Sequence, residues 1–214
     1  MKPEEKKQYT RQEKARNWWH YHRWALLIGL LLLIAAADLL LGALGVGQEK
    51  PDYQVAVAAS APLKKESLEA LESVFAAAGV DCTGNGRVSV RLNSYVDMAA
   101  SGETDTARYA AAAQVRLMAD MESCDSYFFL CGDPEKLQSD YQILARADGA
   151  LAGPGEEASL YALGDLPVFR AAVGDHPELA GLYLARRGFW ADRSCAFRSE
   201  CDALWETLTK EEIP

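Results

Sequence analysis

Five cysteines are the first residues that offer chemistry: Cys82, Cys124, Cys131, Cys195 and Cys201, none of them before position 82. Cysteines confined to one part of a chain suit disulfides in an oxidising exterior, although buried free thiols are also common. Geometry prunes the pairings. Cys124 and Cys131 flank a stretch of extended chain roughly 20 Å long, which a disulfide with Cα atoms about 6 Å apart cannot bridge. Cys82 and Cys124 fall in helix-to-strand loops, at the same end of a parallel sheet, and form the better pair. Cys195 and Cys201 are near neighbours able to close a small ring, which leaves Cys131 in the core or facing a partner chain.

Asp81-Cys82-Thr83-Gly84-Asn85-Gly86-Arg87-Val88 has the first ingredients of a calcium loop, with oxygen ligands Asp81, Thr83 and Asn85 at alternate positions and glycine at the sixth. Its twelfth position is Leu92, where a bidentate carboxylate belongs. A tight turn into a strand, with Gly84 and Gly86 supplying positive φ, is the favoured role, and no metal or cofactor is expected.

Catalytic signatures are missing from the sequence: no G-x-S-x-G elbow, H-E-x-x-H, P-loop or G-x-G-x-x-G. His176 is the one histidine beyond the N-terminal region and is expected in a solvated loop. Arg186-Arg187 follows a strand and offers an anion two cations, but surface decoration is the simpler expectation. His20 and His22, two apart, share no helix face and belong with an aromatic belt.

Charge divides the chain. Residues 1–24 carry seven Lys/Arg and three Glu, a net +4, leaving −13 for the rest of a chain whose total is −9. An acidic body argues against non-specific nucleic-acid binding, and a basic end suits an anionic membrane leaflet. Between them, residues 25–47 read ALLIGLLLLIAAADLLLGALGVG. As a helix these would run roughly 34 Å, enough to cross a hydrocarbon core of about 30 Å. Trp18, Trp19 and Trp24 stand before the run, with Tyr21 and Arg23, as interfacial anchors. The expectation is a single transmembrane helix with the N-terminus cytoplasmic and the C-terminus outside the cell membrane. A cleaved signal peptide ending near Ala35-Ala36-Ala37 competes, but the apolar run is longer than its h-region needs. Asp38 lies inside the run, where a carboxylate costs on the order of 3 kcal/mol at mid-bilayer. Placement near the outer headgroups is favoured; contact with a partner helix, beside Gly42, Ala43 and Gly47, is the functional alternative.

After a linker at 48–52, a domain over 53–214 is expected to position any site. Periodicity predicts strands at Tyr53–Ala59, Val88–Tyr95 and Ser126–Cys131, with helices at Leu63–Ala78 and Thr106–Glu122 between them. That βαβαβ order implies an α/β fold with a mainly parallel sheet. Further on, a helix over Glu135–Leu144, a loop at Gly149–Gly155, a short strand Leu182–Ala185 and a terminal helix Ser199–Glu212 are expected. In such a sheet, ligands meet the carboxyl ends of strands, here Ser60, Ser94 and Asp133.

Residues 53–131 resemble the first lobe of an extracellular solute-binding protein, on the Val55-Ala56-Val57 strand, the helix over Leu68 to Phe75, Val88-Ser89-Val90, Leu117 to Asp120, and Tyr127 to Leu130. Two such lobes need roughly twice this length, so a clamped solute would require a dimer or partner. Over most of its length the chain is also similar to an uncharacterised family of bacterial single-span membrane proteins. The shared stretches are the aromatic Trp18–Trp24, the D-x-N-G-D-G-x-V-like turn at Asp81–Val88, Phe128–Pro134, and the L-Y-L-x-x-R-G of Leu182–Gly188. This chain has Thr83 and Asn85 where a more acidic turn is expected. The resemblance implies no known activity or site residues. A membrane-tethered domain binding a protein or small ligand is the expected function. An accessory subunit docking through its helix is the alternative, and an unrecognised enzyme the third.

Overall fold

The computed structural model describes residues 10–43, 50–95 and 104–210, and divides into two units, residues 1–49 and 50–214. The first is one helix, α1 (Arg11–Ala43). Its stretch Trp18–Ala37 has a mean hydropathy of 1.4 and buries none of its surface within the chain. Length and composition suit a membrane span, and a signal sequence meets the same criteria. The helix takes in the aromatic belt, so Trp18 and His22, one turn apart, stack with ring centroids 5.0 Å apart. Trp18, Trp19 and Trp24 are all exposed. Asp38 lies on this helix with its side chain outside the described atoms, and Gly47 and the linker residues 48 and 49 lie outside the described residues.

The second unit runs β1 (Tyr53–Ala58), α2 (Lys65–Ala78), β2 (Val90–Ser94), α3 (Thr104–Ser123), β3 (Phe128–Cys131), α4 (Pro134–Tyr141), β4 (Leu160–Ala162), α5 (Arg170–Asp175), β5 (Tyr183–Arg186) and α6 (Arg198–Thr209). Its sheet has the order β2-β1-β3-β5-β4. The βαβαβ portion is parallel as expected, with Val55 beside both Leu92 and Phe128. The remainder departs from a mainly parallel sheet: β5 runs antiparallel to β3, pairing Leu184 with Leu130, and β4 runs antiparallel to β5. The sheet is therefore mixed.

Alternation along β1 explains the two-sided core. Tyr53, Val55 and Val57 face one side, where Leu71 and Phe75 of α2 and Leu204, Trp205 and Leu208 of α6 pack. Ala56 faces the other, against Leu117 and Met121 of α3 and Leu137 of α4. Phe128 and Phe129 of β3 bury one ring on each side, as a strand covered on both faces must. Phe75 anchors the first side, its ring edge-to-face with Phe128 at 5.3 Å and with Phe169 at 5.6 Å. Connections that move in opposite directions along a sheet with one hand lie on opposite faces. The α2 and α3 crossovers obey this, which makes the β1/β3 boundary a point where the strand order switches.

Candidate functional site

The switch point gathers two of the three expected strand-end residues. Cys131 ends β3 beside Ala58 of β1, and the next amide, Gly132 N–H, donates to the Ala58 carbonyl at 3.0 Å. Gly132 then lies beside Ser60, where a Cβ placed on it would make an ordinary contact with the serine Oγ at 3.5 Å. Asp133 caps α4, its Oδ1 accepting from the Lys136 amide at 2.9 Å, with Pro134 fitting the first turn where no N–H is needed. Ser60 and Asp133 are both exposed. Ser94 is not part of this gathering: it pairs with Val57 on the opposite flank of β1, and residues 96–103 after it lie outside the described residues.

The Asp81 turn acts as a self-capped loop. Asp81 Oδ1 accepts from the amides of Gly84 at 2.7 Å and Asn85 at 3.3 Å and from the Thr83 hydroxyl at 3.3 Å, while Oδ2 accepts from Gly86 at 2.7 Å. The Gly86 amide above all, with Gly84 and Asn85, holds the carboxyl below its ordinary range. Asn85 in turn accepts from the Arg87 amide at 3.0 Å. Gly84 and Gly86 have φ of 73° and 85°, as the turn requires. Beneath it Asp52, 2% exposed, accepts from the amides of Cys82, Thr83 and Ser89 at 2.6–2.8 Å. The carboxylates thus serve main-chain donors, and no grouping of three His, Cys, Asp or Glu side chains suited to a metal occurs among the described residues.

In this structure all five cysteines stand as thiols. Cys82 donates to the Tyr53 hydroxyl at 3.5 Å, whereas Cys124 is buried at the end of α3 and points to the Met121 carbonyl at 3.8 Å. Both lie in the loops that lead into the amino ends of parallel strands, Cys82 before β2 and Cys124 before β3. Cys195 and Cys201 adjoin: the Cys201 thiol reaches back to the Ala196 carbonyl at 3.9 Å, and both side chains pack on the same core cluster. Cys131 is fully buried in β3, and burial pushes its thiol up to about 12.

Arg186 and Arg187 are not surface decoration. They are 6% and 0% exposed. Arg187 donates to the carbonyl of Met121 and lies 3.4 Å from that of Asp120 and 3.5 Å from that of Ser126, with the Asp120 carboxylate 3.9 Å away. Asp120 also accepts from the Tyr95 hydroxyl at 2.6 Å and from the amide and hydroxyl of Ser126 at 3.0 and 2.6 Å. Burial depresses the Arg187 guanidinium's pKa, against the opposing pull of Cys124 and Asp120. Arg186 donates to the Ala147 carbonyl at 2.7 Å and stacks 5.1 Å over Trp205. Asp202 receives the Tyr127 hydroxyl and, at 2.8 Å, Arg198.

His176 is half-buried rather than solvated, its Nδ1 3.3 Å from the Ser67 hydroxyl, which donates to Glu178 at 2.6 Å. A serine, a histidine and a carboxylate meet here in an order unlike a nucleophilic triad, where the imidazole stands between hydroxyl and acid. Ser67 sits between the other two and has no exposed surface. The trio latches residues 176–178 to α2. Ser67, Leu71 and Phe75 lie at helical i, i+4, i+8 spacing, so Ser67's burial was readable from the sequence; its partners 109 and 111 positions away were not.

No family model matches the chain, and no curated protein or solved structure matches it either.

Proposed function

We propose that this chain is a membrane-tethered protein whose α/β domain lies outside the cell membrane and binds a protein or small ligand at the carboxyl ends of β1 and β3. The basic, aromatic N-terminal segment ahead of an apolar helix supports the tether, with the N-terminus in the cytoplasm. The switch in strand order at the β1/β3 boundary, with Gly132 beside Ser60 at the carboxyl ends of both strands, carries the binding assignment. Backbone, a hydroxyl and the exposed Asp133 cap meet there, where open α/β sheets hold their ligands.

A thermal-shift screen of residues 50–214 against amino acids, sugars and short peptides tests it. A ligand at a hundred times its dissociation constant stabilises by about 2.7 kcal/mol. Ser60→Trp, placing a bulky ring over the strand ends, should abolish that shift, while Val115→Lys on the exposed side of α3 should leave it intact. A ligand shift indifferent to Ser60→Trp would refute the location. The accessory-subunit alternative draws on the apolar stretch Trp18–Ala37 of α1, none of whose described residues is buried within the chain. It predicts co-purification with a membrane complex that Asp38→Leu abolishes.

A further inference from the structure

We propose that Cys195 and Cys201 form a redox-active dithiol, Cys195 the attacking thiol and Cys201 the one that closes the ring, which on oxidation staples the 189–197 segment to α6. The inference is independent of whether the strand ends of β1 and β3 bind anything.

Local structure brings the two sulfurs together. Ala191 and Phe197 hold left-handed φ values of 54° and 53°, and Phe197 is the residue from which α6 starts. Its carbonyl accepts the Cys201 amide at 2.9 Å, so Cys201 sits in the first turn of the helix while the preceding segment turns back across it. Both cysteines pack on the core face shared by α2 and α6.

Their surroundings divide the labour. Cys201 is 2% exposed. Cys195 is partly exposed and adjoins the exposed stretch Ala191–Ser194, by which a reagent can reach it. The Cys201 thiol, held beside the 195–196 backbone by its bond to the Ala196 carbonyl, and the Arg198 guanidinium together favour a thiolate at Cys195 and hold its pKa down. Accepting no such help, Cys201 is pushed up by the adjoining Cys195 and by burial, and stays a neutral donor. Arg198 is itself fixed, stacked 4.4 Å over Phe189 and paired with Asp202 at 2.8 Å.

The oxidant is a low-molecular-weight or protein disulfide. The Cys195 thiolate attacks one of its sulfurs, forming a mixed disulfide and expelling the other sulfur as thiolate. Cys201 then loses its proton to solvent and attacks the Cys195 sulfur, expelling the second thiolate. Two electrons pass from the dithiol to the oxidant, and the two expelled thiolates take up two protons.

Full-length protein in detergent, reduced and then exposed to oxidised glutathione, gives the test. Trypsin cuts after Arg193, Arg198 and Lys210, so peptides 194–198 and 199–210 stay together only through a Cys195–Cys201 bond. The expected result is that linked pair, preceded in acid-quenched samples by a glutathione adduct on Cys195. In Cys201→Ser, whose hydroxyl still donates, the Cys195 adduct should accumulate. Unlinked peptides, a Cys201–Cys82 linkage, or a first adduct on another cysteine would overturn the proposal. The wild-type time course decides alone should Cys201→Ser not fold.

Discussion

Replacing Arg187 by Met removes a charge from the interior while keeping most of the aliphatic stem. The carbonyls of Met121, Asp120 and Ser126 lose their donor, and the Asp120 carboxylate loses the cation 3.9 Å away. Breaking a buried pair from one side costs about 3–5 kcal/mol. Asp120 keeps three other donors, from Tyr95 and Ser126, so the lower end, about 3 kcal/mol, is expected. At about 2–4 °C per kcal/mol for a domain of this size, the melting temperature should fall by about 6–12 °C. Urea unfolding of residues 50–214, followed by tryptophan fluorescence, measures the difference directly. Asp120→Asn added to Arg187→Met should cost less than the two singles summed, by about 1 kcal/mol, because the two groups share one network. An Arg187→Met variant within about 0.5 kcal/mol of wild type, the range of an ordinary surface change, would refute the structural role assigned to this side chain.

Gly188→Ala would place a Cβ 2.5 Å from the Leu151 backbone, so the 151 segment must move; a loss of about 1–3 kcal/mol in the same urea assay is expected. Asp81 has a folded pKa below its unfolded one. Its contribution is therefore present above the ordinary carboxylate value, about 3.9, and is lost as pH falls through the folded value. Asp81→Ala should start with a lower urea midpoint and lose less of it between neutral pH and pH 3; parallel profiles would contradict the capping role. The full-length chain should stay in the membrane pellet through an alkaline carbonate wash, and its release would remove the tether.

The residue pattern disclosed the elements whose period is long enough to recognise. Strand alternation at Tyr53, Val55 and Val57, and the Leu71–Phe75 and Leu204–Trp205–Leu208 faces, placed β1, α2 and α6 within a few residues of their ends. The predicted Leu182–Ala185 strand is shifted by one residue, to Tyr183–Arg186. Three-residue β4 and six-residue α5 have too little sequence for a period to emerge, and the helix after Asp133 ends at Tyr141, three residues sooner than expected. The direction of β5 is not a local property at all: it depends on how the chain from Gly132 to Leu182 travels, and strand residues look alike in either direction. The same limit hid the arginines. Arg187 is buried because Met121, in the last turn of α3 and 66 positions earlier in the chain, lies beside it, and composition alone sends such a residue to solvent.

The flanks of the sheet carry a consequence for handling this protein at high concentration. One margin, β4, is three residues long; the other, β2, is five residues long and carries Arg91 and Asn93 on either side of its central Leu92. Both offer a neighbouring molecule little uninterrupted main chain to zip onto, and the charged side chain on β2 opposes stacking of like copies. Crowded molecules of this domain should therefore stay separate, and strand-to-strand aggregation should begin only after β5 has peeled away with β4 to bare the apolar edge of β3.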